Sequence, residues 1–499
     1  MRSCLLPAAL SMVVHAAVIR GTVVENQTGR PLARALVKLE PVKGTAGTEQ
    51  SIRTNRYGAF EFQQLGAGAY LLTASRTGFA TAQYGQKQWK SSGVPVPVGA
   101  EDSYTVSIRL WRFGSITGTV LDENDVGLPE HEVVAYRNTR PPQPAAEAKC
   151  DDRGVFRFYG LEPGSYLIRT IGKQYDEGNY LPTFAKETDV VDQSFPVEVN
   201  LDQQVDRVDV RPFQGRLFSL TIRIDPLPQR MTGPVTITLV SDMGRQTVQS
   251  LSHRFNELPP GQYEIFADAP VLTQANQPGM QGEYQRVTVG GDIARTLSLH
   301  PVPELQFTFE GAPGDRNMQV LARRKDLAGS GESKVLELAN NRFQLAPGPW
   351  ELAIPPNPAF YVSNFSGPRH ERPGDGRAEG WNEIGVGYGN PLVRFTLSSN
   401  VGTVQGAVRS GGQPVVGAPV FLEPSDLDPG RRVTDTFVTR TDLHGQYQFT
   451  GLAPGNYRVL SSFEYKVADS AAMSGARATP VIVDAGHTVQ QDLELYAIP

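Results

Sequence analysis

Hydrophobic and polar positions alternate along most of this chain, and no stretch sustains a helical period. The alternation is sharpest in TDLHGQYQFTGLAPGNYRV, Thr441 to Val459. Tyr447 and Phe449 share one face of a strand there, because side chains two apart in extended backbone point the same way. Asp442 and Gly445 supply turn chemistry before the strand. Pro454 and Gly455 supply it afterwards, proline presetting φ and glycine accepting the positive φ of a type II turn. Tyr457 and Val459 then open a second strand. The stretch predicts a β-hairpin with its aromatic face inward.

The same pattern occurs five times, the other copies being Thr54–Leu72, Cys150–Ile168, His253–Ile265 and Asn341–Leu352. The turn glycines Gly68, Gly164, Gly261, Gly348 and Gly455 stand 96, 97, 87 and 107 residues apart. Such a period is too long for a solenoid repeat and matches a complete small β domain. Tyr70, Tyr166, Tyr263, Trp350 and Tyr457 occupy one hairpin position, which marks them as core or corner residues. The chain therefore divides into a leader, 1–17, and β-sandwiches at 18–112, 113–213, 214–301, 302–398 and 399–499. The third and fourth are degenerate copies, and the fourth carries a long Gly-rich loop, 366–391. Junctions such as SIRLWRFGSITGTV have no Ser/Gly tract, so the modules form a semi-rigid string.

The fifth copy has a Gly-x-Val at Gly406 and Val408, then Pro414, Ala418 and Val420. Thr441, Asp442, Gly445, Tyr447, Phe449, Leu452, Pro454, Gly455 and Tyr457 follow. This pattern resembles the carboxypeptidase regulatory-like domain. The first two copies match with gaps, Asn55 standing for the aspartate and Ala67 for the proline. The third and fourth match only in the second half of the hairpin. The resemblance implies an all-β fold, a tandem array of five transthyretin-like β-sandwich domains of the carbohydrate-binding-like group. The tandem arrangement and the YGQ of Tyr84–Gln86 are similar to exported proteins of environmental bacteria. It implies little about activity, since one fold hosts many roles.

Composition narrows the picture further. A chain of 499 residues exceeds one hydrophobic core, and 50 glycines with 38 prolines suit a turn-rich fold. A net charge of -5 without a dense Lys/Arg run argues against nucleic acid as a partner. Arg2, an apolar run, and Val14 and Ala16 ahead of a cut read as a secretory signal. Export to the cell envelope, periplasm or exterior follows. Cys150 is then the only cysteine left, so no internal disulfide forms. No later apolar run is long enough to span a bilayer.

Catalytic chemistry is hard to find. A metallocarboxypeptidase needs His and Glu three residues apart to hold zinc, plus a later His. None of His131, His253, His300, His370, His444 or His487 has that glutamate, and neither HExxH nor GxSxG occurs. We expect no enzyme, cofactor or metal. Opening strands lack the lysine, and closing strands the asparagine, that covalent self-stapling between strands would need. LDENDVG, Leu121–Gly127, spaces acidic oxygens as calcium loops do but has no well-placed bidentate carboxylate, so it reads as a solvated turn.

Sugar recognition needs aromatic faces with amides nearby. The candidates are Tyr84, Gln86 and Trp89 after the first hairpin, Tyr180 and Phe184 after the second, and Trp381 and Tyr388 in the long loop. The competing reading folds these rings back over the ends of their own sandwiches. Two functions stay open: a non-catalytic binding or spacer protein with polysaccharide or surface glycan as ligand, or a structural and adhesive surface protein that binds envelope proteins.

Overall fold

The computed structural model describes residues 17–497 apart from 43–44, 46, 92, 100–101, 177, 312–317, 369–377, 388 and 390. The leader up to residue 16, Tyr388 and much of the 366–391 loop thus lie outside the described residues. The chain is nearly all β, and its sheets face one another in chain order as a tandem series of β-sandwiches. It packs into two compact units. One is Met1–Ile116 with Tyr159–Gly164 and Val199–Val205, and the other is the remainder.

The first sandwich shows the plan. Strand Ala17–Glu25 lies between Ala59–Leu65 and Ser103–Leu110 in one sheet. Leu36–Pro41, Gln50–Arg53 and Gly68–Ser75 form the other, with two short strands added at its edge. Ile19, Val23, Phe60 and Phe62 meet Val37, Leu39, Tyr70 and Leu72 in a closed core. This is the alternation read from the sequence, with every second residue turned inward. The last sandwich repeats it. Gly402–Ser410 is flanked by Gln446–Leu452 and by Thr488–Gln490 with Leu493–Glu494, facing the sheet of Pro419–Pro424 and Gly455–Ser461.

The repeated unit is not a hairpin, and this corrects the sequence reading. Ala59–Leu65 and Gly68–Ser75 bond to different sheets, as do Gln446–Leu452 and Gly455–Ser461. The Pro-Gly segment carries the chain across the core as an arch. Alternation reveals which side chains share a face but not which strand supplies the hydrogen bonds. Both strands point their aromatics inward because they oppose each other across the core. The turn chemistry changes accordingly. Gly455 has φ +158° and begins the return strand, far from the roughly +80° of a type II turn. The left-handed position falls earlier, at Gln64, Gly160, Glu257 and Gly451. At three of these, register shifts mark a bulge against the opening strand.

The residue following the arch is fixed by one recurring hydrogen bond. The hydroxyls of Tyr70, Tyr263 and Tyr457 donate to the carbonyls of Gly66, Pro259 and Ala453, each four residues earlier. Trp350 does the same through Nε1 to Ala346. A polar tip that stays satisfied lets a large ring be buried at the crossing. Ahead of the arch, Asn55, Asp151 and Asp442 each accept two amide protons through one side-chain oxygen, closing the turn the sequence indicated. Thr54 and Thr441 tie this turn to the preceding loop through Leu32 and Val415. The buried Cys150 takes their place in the second copy.

The Gly-x-Val glycine has a steric cause. A Cβ at Gly118 would lie 1.9 Å from the Val208 carbonyl oxygen, and one at Gly406 would lie 1.9 Å from that of Gln491. The closing strand therefore rides directly on the opening strand. The two run parallel, Val18–Glu25 beside Ser103–Leu110 and Leu220–Ile224 beside Ile293–Leu297. A second correction concerns the 366–391 loop: Asn382–Val386 within it is a strand paired with Gly348–Ala353. Asn382, Ile384 and Val386 alternate inward, a pattern hidden among the surrounding glycines.

Candidate functional site

After the first arch, residues 82–91 and 93–94 lie at the edge of their sandwich, where Ala82–Gln83 pairs with Gly68–Ser75. Gln86 braces this loop, accepting from the Gln83 amide at 2.8 Å and donating to the Gln88 carbonyl at 2.8 Å. Tyr84 is half-buried and packs on the core, while its backbone bonds to Leu72 and Val94. Trp89 is also half-buried, with the Lys90 ammonium 3.9 Å from its ring centroid. The three residues sit on one small loop, yet they differ in role. Gln86 spends its amide on the loop itself, Tyr84 packs on the core, and Trp89 carries the Lys90 ammonium over its ring.

The candidates of the second sandwich are enclosed. Phe184 is 1% exposed, packed with Leu167 and Val191, and the Arg169 guanidinium lies 5.2 Å from its centroid. Tyr180 is 4% exposed and stands edge-on to His131 and Tyr175. Neither ring offers a face to a ligand: Tyr180 packs within its own module, and Phe184 lies in a cluster that Met243 of the third module joins. His131, fully buried, anchors this cluster. Its Nε2 lies 3.0 Å from the Ile171 carbonyl oxygen and its Nδ1 3.0 Å from the Tyr175 hydroxyl, which also reaches Pro129 at 2.8 Å.

Burial, more than the hydrogen bond to Ile171 can offset, pulls the His131 pKa down to about 4. The ring is neutral in the fold at neutral pH, whereas the unfolded chain takes up a proton near pH 6.5. Stability from this group is complete above pH 6.5 and drains as pH falls toward 4, by about 3 kcal/mol. The denaturant midpoint of the transition assigned to this sandwich is expected to fall over that range. His131→Gln should flatten the dependence, and an unchanged pH profile in the variant would contradict the assignment.

Trp381 belongs to a joint between sandwiches. It is 5% exposed, its ring 4.2 Å from the Arg323 guanidinium, and its backbone amide donates to the Arg431 carbonyl at 2.8 Å. Arg323 also bonds Glu351 and the Gly430 carbonyl. Backbones approach closely here: a Cβ at Gly380 would lie 2.3 Å from the Arg431 oxygen, and one at Gly451 2.4 Å from that of Asn357. Beside this contact runs an open groove of about 610 Å³, its mouth included, between Pro355, Pro356 and Phe360 on one side and Leu427, Arg432 and Phe437 on the other. Sequence reasoning missed it because its walls come from two modules, and no local pattern marks a surface shared between them.

The preceding joint is built from buried charge. Arg245 grips both Asp326 oxygens at 2.8 and 2.7 Å, and Arg324 lies 4.0 Å from the Phe266 centroid. Burial pushes the Asp326 carboxyl up, and Arg245 only partly pulls it back. Glu264 accepts from the Leu327 amide, Tyr284 and Arg286. In LDENDVG, Asp122 accepts from the amides of Asn124 and Val126, which makes it a turn former. Burial raises the Cys150 thiol to about 11, which keeps it protonated and unreactive. Among the described residues no three His, Cys, Asp or Glu side chains converge as a metal site. No helix there is long and apolar enough to cross a membrane.

Residues 18–110 match the carboxypeptidase regulatory-like domain. No curated protein matches the chain. Among solved structures it is similar to the TIE protein of Bacillus anthracis, at 15% identity over 57% of this chain and 50% of that one, with a TM-score of 0.19. It thus spans about half the length of that protein. It is similar to a minor pilin of Streptococcus agalactiae, at 17% identity over 40% of this chain and 97% of that one, TM-score 0.26. The major pilin subunit of Bacillus cereus is matched at 11% identity over 77% and 99%, TM-score 0.15. Overlaps this loose transfer no role to this chain.

Proposed function

We propose that the chain is an exported, non-catalytic binding and spacer protein whose ligand is a polysaccharide or surface glycan. Five modules, bounded near residues 112, 213, 301 and 398, form the array, and the pairing of sheets in chain order supports that division. The observation that carries the binding role is the braced loop of the first sandwich. Gln86 holds the loop in one shape before any ligand arrives, so little ordering entropy remains to be lost on binding. Trp89 offers a flat ring and Lys90 a cation on that rigid support. Tyr84 serves as the peg that seats the loop on its core.

The test is a glycan array probed with the whole chain, followed by Trp89→Ala. The variant is expected to bind the best glycan at least tenfold more weakly while melting as the parent does, since a half-exposed loop ring adds little to the core. Full binding by a folded variant would remove this loop from consideration. The alternative, a structural and adhesive protein that binds envelope proteins, is favoured by the buried-charge joint at Arg245 and Asp326. That joint suits a load-carrying scaffold. Enrichment of envelope proteins with no glycan bound would decide for it.

A further inference from the structure

The second sandwich carries a groove that none of the residues above occupies. It opens to solvent with about 900 Å³ of space, mouth included, and is walled by Lys186, Glu187, Phe195, Arg207, Asp209 and Arg211 among others. Phe195 is 57% exposed, and the Lys186 ammonium rests 3.4 Å from its centroid. Arg211 is held by Asp125 at 2.6 Å and by Glu187 at 3.5 Å. Lys186 and Arg207 have no carboxylate partner among the described residues. The groove thus joins an exposed aromatic ring, one face of it under the Lys186 ammonium, to a second cation, Arg207, that holds no carboxylate among the described residues.

The backbone around it is held in an unusual state. Lys186, Glu187 and Arg207 have φ of +65°, +61° and +63°, the left-handed region. Lys186 and Glu187 are the middle of a tight turn closed by the Phe184 amide on the Thr188 carbonyl at 2.7 Å. Glycine or asparagine sits in such positions at little cost, and long side chains do not. Three long charged residues stand there instead, all lining one groove. Arg34, Lys90, Glu130, Arg230, Glu257 and Arg477 share this conformation elsewhere, so here it serves to aim three side chains into one groove.

We propose that this groove binds an acidic polysaccharide. A pyranose ring stacks its C–H face on the side of Phe195 away from Lys186, and the carboxylate or sulfate of that sugar pairs with Arg207 and with Lys186 at the ring's edge. A neutral glycan would leave Arg207 without a partner. An acidic peptide would meet the cations but make no use of the flat ring. The Glu187 and Asp209 carboxylates suit sugar hydroxyls as acceptors. This site is separate from the Trp89 loop and is read through its own variants, so either can fail alone.

The experiment titrates the full chain at low salt with polygalacturonate, chondroitin sulfate, dextran and polyglutamate. Binding of polygalacturonate, chondroitin sulfate or both is expected, weakening as salt rises, and the tighter of the two identifies the acid group. Phe195→Ala should lose tenfold or more, as should Lys186→Asn combined with Arg207→Asn, replacements that relieve the backbone. Melting temperatures should hold. Should Phe195→Ala misfold, Phe195→Leu keeps apolar bulk without a flat face and should show the same loss. The proposal is overturned if neither acidic glycan binds, if dextran binds equally, or if polyglutamate matches polygalacturonate. It is equally overturned if the folded variants bind like the parent.

Discussion

The Gly406→Val chain is expected to lose the unfolding transition of the fifth sandwich at temperatures where the parent is intact. A Cβ at Gly406 would lie 1.9 Å from the Gln491 carbonyl oxygen and 2.5 Å from its carbon. Both are backbone atoms, so no rotamer change relieves the clash. That oxygen also accepts the Tyr447 hydroxyl at 2.7 Å, which ties the closing strand to a core ring. Making room means parting Thr488–Gln490 from Gly402–Ser410. Overpacking a yielding core costs about 1–3 kcal/mol, and a rigid backbone contact costs more than that. Gly475→Ala is the control, because a Cβ there meets nothing within 4 Å, and should change stability by less than about 0.5 kcal/mol. Calorimetry and limited proteolysis of the whole chain read both. A Gly406→Val profile matching the parent would refute the close approach.

A comparable loss is expected from Glu423→Ala. Glu423 is fully buried, with Arg432 at 2.7 Å on one carboxylate oxygen and Arg458 at 2.5 Å on the other. Ser470 adds a further hydrogen bond. Burial alone would raise this carboxyl, but the bonds from Arg458, Ser470 and Arg432 outweigh it and hold the pKa below the usual glutamate range. Removing the carboxylate leaves a buried Arg432 charge without an anion, a change that costs about 3–5 kcal/mol. The sign with pH follows from the lowered pKa. The contribution is complete above the unfolded value near 4.5 and is lost as pH falls below it. Urea unfolding at pH 7 should show the full difference between parent and variant, and that difference should narrow in acid. A variant within 1 kcal/mol of the parent at pH 7 would mean the cluster is not closed to water.

Sequence and structure agree where the physics is local. Phe60, Phe62, Tyr447 and Phe449 turn inward as the alternation requires, and Asn55, Asp151 and Asp442 close their turns with their own side chains. The shared Tyr/Trp position was legible because one residue type returned at one place in five copies. Partnership between strands was not legible, since the same alternation serves a hairpin and an arch. Surfaces assembled from distant segments were legible least. Trp381 looks like a loop aromatic until Arg323 and Arg431 close over it. The Phe195 groove needs residues 186 and 207 side by side, and nothing in the string of letters announces that. Of the sugar candidates, only the Trp89 loop keeps an accessible ring among the described residues.

The parallel pairing of first and last strands determines how one sandwich bears tension. In the first, Val18 through Glu25 lies beside Ser103 through Leu110 over eight consecutive residue pairs. The chain enters at one end of this ribbon and leaves at the other. A pull between entry and exit acts along the strands and across the direction of their hydrogen bonds. The bonds are then sheared together, not peeled apart one after another from an end. The sandwich resists stretching as a single bolt, whatever its surface loops happen to hold.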